Sequence, residues 1–293
     1  MNPTGTREKI TQIFFESFNV PAFYLAPSTP LPLYATCASS ESLTGTVVDC
    51  GYGSTSVAVV VDGIHQIMLY FRPLDIGGQN FYFKIIEAMG DSRYRDPRYR
   101  RLAEEIFHKE CYVASDCEQE LNLFKSDSIH PPDQSYILPD GSSFSLGSNR
   151  FMIPEILFQP ELDQREMQSL PSRIDWTLHH PNGSVEHRKA LWNNIILTGG
   201  GSLLPGFTDR LEKELHKLQQ KRINETKEKG KDTEQCEYPM KIVSLPERRF
   251  LTWIGASAMA SLSTFQTEWI SKEEYDEQGP SIVGRIKVKN SYQ

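Results

Sequence analysis

Two glycine-rich turns, each at the end of a β-branched apolar run, constrain this chain more than any other feature. The first is VVDCGYGST (47–55) and the second is LTGGGSLLPG (197–206), which leads into a helical pattern. A strand ending in such a turn aims backbone N–H groups at an anion with no side chain in the way. Asp49 closes the first strand, Gly51 and Gly53 permit unusual backbone angles, and Ser54 and Thr55 offer hydroxyl donors. Neither turn spells a standard nucleotide fingerprint: the first lacks a Gly-Lys-Ser/Thr ending, and the second has no third glycine at dinucleotide spacing. Each alone is better explained by a tight structural turn at a strand end. Two together favour a nucleotide clamp, provided that the fold brings them side by side.

The 293 residues carry enough apolar material for about two or three compact units. The net charge of −7 argues against a nucleic-acid backbone as main partner, because that binding is driven by phosphate neutralisation. Cys37, Cys50, Cys111, Cys117 and Cys236 are odd in number and lack a CxxC pair. They suggest neither a disulfide framework nor a zinc site, and fit a reducing compartment. MNPTGTREKI has no signal-peptide core and no run of about 18 apolar residues occurs, so the expectation is a soluble intracellular protein without a membrane partner. Neither turn spells GxSxG, His179 and His180 precede a Pro-Asn-Gly turn and read as surface loop residues, and the arginine–tyrosine run 92–101 reads as a charged loop or a protein-partner surface.

Pattern alone predicts an α/β class. A first helix runs from Thr6, as N-cap, with Ile10, Ile13, Phe14 and Phe18 on its face, and ends at Asn19 and Pro21. TVVDC, STSVAVVV and IHQIMLYF predict a three-stranded meander with a turn at Asp62-Gly63. A helical stretch from Leu102 to Phe124 buries Ile106, Val113, Leu121 and Phe124. A hairpin turns at Pro139-Asp140-Gly141, and a short helix spans Pro154 to Phe158. A strand then follows Asn194, and the next helix presents Phe207, Leu211, Leu215 and Leu218. The tract from Leu218 to Met240 is dense in charge and reads as a solvated helix extension and flexible loop.

MNPTGTREKITQIFFESFNVPAFYLA, VVDCGYGST, ILPDG with NRFMIPEILFQP, LTGGGSLLPGFTDRL and LPERRFLTWIGASAMASLSTFQTEWISKEEYDEQGPSIV, in this order, resemble the actin and actin-related protein family. The resemblance implies an actin-like, ribonuclease-H-like ATPase fold in which ATP and a divalent cation sit between two lobes. It also implies a chain lacking the N-terminal part of the small lobe. The implied division is 1–35 with 251–293 as a remnant of subdomain 1, and 36–76 with 166–250 as subdomain 3, with a flexible charged insertion at 216–240. Residues 77–165 then form subdomain 4, and subdomain 2 is absent. By resemblance Asp49, Gly51, Gly53, Ser54, Gly78, Gly199, Gly200 and Arg249 are the cofactor-binding positions for ATP or ADP with Mg, Asp49 meeting the metal through water. Tyr34, Met259 and Leu262 line the partner cleft, although Met259 and Leu262 also fit the core face of a helix from Trp253 to Phe265.

The family's catalytic glutamine corresponds to Ser28, its metal-shell aspartate to Tyr52, the neighbouring histidine to Ser56, and its adenosine-contacting lysine and glutamate to Phe107 and His108. Ser28 is too short to position an attacking water, and Tyr52 brings no carboxylate to a hard cation. The expectation is a cytoskeletal scaffold of the cytoplasm with weak or absent ATP binding and hydrolysis, no enzyme, acting on actin, actin-related or actin-binding proteins. Two alternatives stay open: a filament-forming homologue whose longer form hydrolyses ATP, and a nuclear subunit of a chromatin-remodelling complex, the one setting in which nucleic acid becomes a partner.

Overall fold

In the computed structural model, which describes residues 3–36, 43–61, 72–90, 96, 99–126, 136–138, 141–179, 185–230 and 238–285, helix α1 (Thr4–Gln12) begins before Thr6. Pro3, at φ −55° and ψ 153°, takes the cap position instead and sets the entry to the helix. Beyond Gln12 the chain widens into a π turn, Ile13–Ser17, in which the Phe18 N–H donates to the Ile13 carbonyl at 3.2 Å. The extra residue in that turn rotates the side-chain register. The expected apolar face is corrected accordingly: Phe15 is buried (1% exposed), whereas Ile13 and Phe14 are exposed and Phe18 is 67% exposed. Asn19, at φ 49°, ends the turn.

Strand β1 (Ala22–Phe23) and helix α2 (Leu31–Thr36) precede the hairpin of β2 (Gly45–Cys50) and β3 (Thr55–Val60). The third strand of the meander, β4 (Arg72–Leu74), pairs antiparallel with β3. The Asp62-Gly63 turn and IHQIMLYF lie outside the described residues. Helix α3 (Gly78–Ala88) follows, and the stretch expected as one helix to Phe124 is two, α4 (Arg100–Glu110) and α5 (Cys117–Lys125). The break has a physical cause. The Tyr112 N–H donates to the Arg150 carbonyl (3.1 Å) and the Val113 N–H to the Pro205 carbonyl (2.8 Å), and the Asp116 side chain then caps α5 through the Gln119 N–H.

The expected hairpin forms as β5 (Tyr136–Ile137) with β6 (Ser143–Phe144); Gly141 turns it at φ 82°, and Pro139 and Asp140 lie outside the described residues. Helix α6 (Asn149–Glu155) starts upstream of the expected Pro154. Next come α7 (Leu170–Leu178), α8 (Val185–Trp192), β7 (Ile195–Thr198) and α9 (Phe207–Glu228). Phe207, Leu211 and Leu215 are buried as their spacing predicts, and the same stripe continues to Gln219 and Ile223.

The first half of the expected flexible insertion at 216–240 is therefore a packed helix. Arg222 pairs with Asp175 of α7, and the Gln219 amide donates to the Tyr238 carbonyl at 3.0 Å. Residues 231–237 lie outside the described set. His179 is also corrected from a surface loop residue: its Nδ1 approaches the Asp175 carbonyl at 2.9 Å, and its ring packs 5.8 Å from Trp192. His180 lies outside the described residues.

After β8 (Ile242–Val243) the chain forms α10 (Leu251–Ala260), β9 (Ile270–Ser271) and α11 (Lys272–Gln278). The main sheet has the order β4-β3-β2-β7-β8, with β2 parallel to β7 and β7 parallel to β8. Val48, Val57, Ile195 and Leu197 face one core, and Val47, Ala58, Val60 and Ile196 face another. A sheet covered on both sides accounts for the unbroken apolar runs in these strands. Segments far apart in sequence close the remainder: β1 pairs with β9, and α10 lies directly on α2.

Three substitutions test this packing by urea denaturation. Phe15→Ala is expected to cost about 3–5 kcal/mol, as for a buried aromatic, whereas Phe18→Ala stays within about 0.5 kcal/mol. A Cβ on Gly255 would lie 1.7 Å from the Leu31 carbonyl oxygen, so Gly255→Ala must push α10 off α2 and is expected to cost at least about 1–3 kcal/mol.

Candidate functional site

The parallel register of β2 and β7 sets Asp49 beside Thr198, so the two glycine turns leave the sheet as neighbours. Gly199 is held at φ 86°, and a Cβ there would meet the Cys50 carbonyl oxygen at 2.4 Å and Asp49 Oδ1 at 2.7 Å. Only glycine fits between the two loops at that point. Their proximity, on which the clamp reading depends, is therefore built into the sheet.

Above the strand ends lies a cavity of about 310 Å³ lined by Asp49, Gly51, Gly78, Gly199, Gly200 and Arg249. The rest of its wall comes from Tyr52, Tyr82, Glu104, His108, Thr198, Gly201 and Thr252. The same two glycine turns are thus joined by α3, by α4 and by the turn before α10. Gly53 and Ser54 belong to the first turn but do not line the cavity; the Ser54 carbonyl closes that turn by accepting from the Gly51 N–H at 3.1 Å. A Cβ on Gly78 would sit 3.3 Å from the Tyr82 hydroxyl, a tight contact that the tyrosine would have to relieve by a small shift.

Several backbone and side-chain donors at the cleft are engaged within the chain. The Gly78 and Gln79 N–H groups, in the first turn of α3, donate to the Gly51 carbonyl (3.0 Å) and the Tyr52 carbonyl (2.8 Å). The Gly199 N–H donates to the Arg248 carbonyl at 3.2 Å. The Arg248 guanidinium is occupied by the Ser202 and Leu245 carbonyls. Arg249 pairs with Glu104 across the cavity rim at 3.1 Å.

Asp49 stands differently. Burial pushes its carboxyl above the usual carboxylate range, with no charge or hydrogen bond among the described residues to counter it. Burial also lowers His108, aided by Arg249 and opposed by Glu104, which leaves a neutral imidazole at pH 7 beside Gly200. The chain's own side chains build no metal cage here. Among the described residues no three His, Cys, Asp or Glu side chains converge on a metal position, and Tyr52 beside Asp49 offers a neutral phenol to a hard cation.

Other expected positions fall elsewhere. Ser28 is exposed in the loop before α2, and its carbonyl accepts from the Leu31 N–H at 3.3 Å. Phe107 is fully buried and stacks on Phe81 at 5.3 Å, as a core residue. Ser56 is buried opposite Asp49 in the β2–β3 ladder. Tyr34 and Met259 fill a small core with Leu31, whereas Leu262 is exposed. Sequence reasoning missed Glu104, Tyr82, Thr198 and Thr252; Glu104 and His108 share a face of α4 at i, i+4, but their partner Arg249 lies too far along the chain for any local pattern to reveal.

An actin family model matches residues 1–288. The chain belongs to the actin family. The mixed sheet, with helices covering both faces, is the actin-like α/β fold that this membership implies. Among the described residues no helix is long and apolar enough to cross a membrane.

The isolated Asp49 carboxyl gives a test with a defined sign. A carboxyl whose folded pKa is raised costs stability once pH climbs above its unfolded value and through its folded value. Asp49→Asn is therefore expected to raise the melting temperature at pH 7, and the gain is expected to vanish below about pH 3, where both states are protonated. Thermal melts of the two proteins across this range check it.

Proposed function

We propose that this actin-family protein is a structural or scaffold component of the cytoskeleton, acting through protein–protein contacts rather than by turning over ATP. The observation that carries the reading is the phosphate end of the cleft. Asp49 is the lone carboxylate at the first glycine turn, Tyr52 occupies the next wall position, and the first amides of α3 are bonded to loop carbonyls. Nothing among the described lining residues supplies a lysine to a γ-phosphate or a group that orients an attacking water.

The outward side of α10 supports the interaction half of the reading. This helix is apolar nearly all round, the pattern of an element covered on every side. Yet Trp253 is 74% exposed, and Phe250 and Leu262, at the two ends of the helix, are exposed as well. Such surface is typical of contact sites. Actin, actin-related or actin-binding proteins are the partners that family membership makes plausible, in the cytoplasm or, within a chromatin complex, in the nucleus.

The test is to purify the protein natively with Mg present, denature it, identify released nucleotide by chromatography, and measure phosphate release in parallel. The expected outcome is well below one nucleotide per chain and no Mg-dependent turnover. A Mg-dependent ATPase that disappears in Asp49→Ala would overturn the reading.

A further inference from the structure

The main sheet ends at β8, and no strand lies beyond it among the described residues. Its inner side is engaged. The Lys241 N–H donates to the Trp192 carbonyl at 3.0 Å, and the Lys241 carbonyl accepts from the Ile195 N–H at 3.0 Å. With Ile242 opposite Ile195 and Val243 opposite Ile196, the parallel ladder turns the polar groups of residues 241 and 243 toward β7. Those of Ile242 face the other way, and neither its N–H nor its carbonyl has a partner among the described residues. Open edge groups of this kind are a template for another extended chain.

Residues 241–245 line, in unbroken sequence, a groove of about 460 Å³. Ile242 packs against the core that holds Leu191 and Trp192 of α8, whereas Val243 and Leu245 pack against the one that holds Leu33 of α2. The groove is walled from both faces of the sheet: Ala190 and Asn193 come from the end of α8, and Thr36 comes from the end of α2. A concavity that straddles the plane of a sheet along its open edge has the shape of one further strand.

Charge decides which strand. Lys241 is the only charged side chain in the lining, it is exposed, and no carboxylate pairs with it among the described residues. A second copy of this chain would bring an identical lysine to the same edge, and edge lysines are a common guard against self-pairing. An extended segment with an acidic residue meets that cation instead, while the Asn193 and Ser244 side chains offer polar contacts beside it.

We propose that the β8 edge captures an extended acidic segment of a partner protein as one more strand of the five-stranded main sheet, with Lys241 selecting its charge. No residue of α10 lines this groove, so it adds a second contact surface to the scaffold reading without resting on the first.

The probe is the acetylated and amidated heptapeptide Thr-Val-Glu-Val-Thr-Val-Thr, titrated calorimetrically into the full 293-residue protein. Saturable binding with a Kd below about 1 mM is expected. The counterpart with lysine in place of glutamate is expected to bind about fivefold more weakly, and Lys241→Glu, at an exposed position, is expected to reverse that order. N-methylation of every second peptide amide separates strand pairing from charge alone. In one phase it removes bonds to the edge and is expected to cost about tenfold, and in the other it is expected to leave binding within about twofold. No saturation by the acidic peptide overturns the inference, as do equal binding of the two charge forms, an unchanged order in Lys241→Glu, or equal losses in both methylation phases. Each of these results leaves the non-catalytic scaffold reading standing, whereas Mg-dependent ATP turnover sinks that reading and leaves strand capture in place.

Discussion

The parallel pairing of β2 with β7 is the interaction on which the molecule depends. It joins strands separated by more than a hundred residues, buries apolar side chains on both faces, and fixes where their two C-terminal ends emerge. Gly199 shows how closely those ends must meet, because its backbone lies against the Cys50 carbonyl with no room for a methyl group. Every wall of the cleft is then referred to this joint. The amides at the start of α3 dock on the first loop, the turn before α10 docks on the second, and α4 bridges them through Glu104 and Arg249.

The glycines of the cleft illustrate how one residue type can serve both backbone packing and an open site. The glycines persist because the chain itself needs them: Gly77 would otherwise strike the Tyr52 carbonyl, and Gly78 would crowd the Tyr82 hydroxyl. Their presence therefore reports backbone packing as much as ligand approach. Asp49 is the opposite case. Nothing described in the fold compensates its burial, so it stands as a locally unfavourable group at the very point where the two loops converge.

What the sequence made legible follows its range of interaction. The β-branched runs, the hairpin around Gly141 and the stripe Phe207, Leu211, Leu215 are encoded within a few residues, and the structure forms them there. Readings failed where a distant partner or a single extra residue decided the outcome. The π turn at Ile13–Ser17 rotated the first helix's face, carbonyls of Arg150 and Pro205 drew residues 112 and 113 out of a helix, and Asp175 turned a charged tail into a packed one. In the site, the two turns were legible from glycine spacing, and the remaining positions rested on family resemblance. Phe107, placed at the base by alignment of motifs, is claimed by the core because an aromatic ring gains more from stacking on Phe81 than from facing solvent.

The pairing of β1 with β9 has a consequence for the order in which the protein can be made. Ala22 and Phe23 find their strand partners only at Ser271 and Ile270, and α2 finds its bed only on α10. The central sheet, whose strands all lie between Gly45 and Val243, can assemble while the ribosome is still translating the rest. Phe15 and Leu31 must wait, because the residues that bury them are synthesised more than two hundred residues later. Loop closure over that separation is slow, and it leaves the first helix without its partners throughout elongation. Apolar side chains of α1 and α2 therefore stay uncovered until the segment 251–283 emerges to bury them.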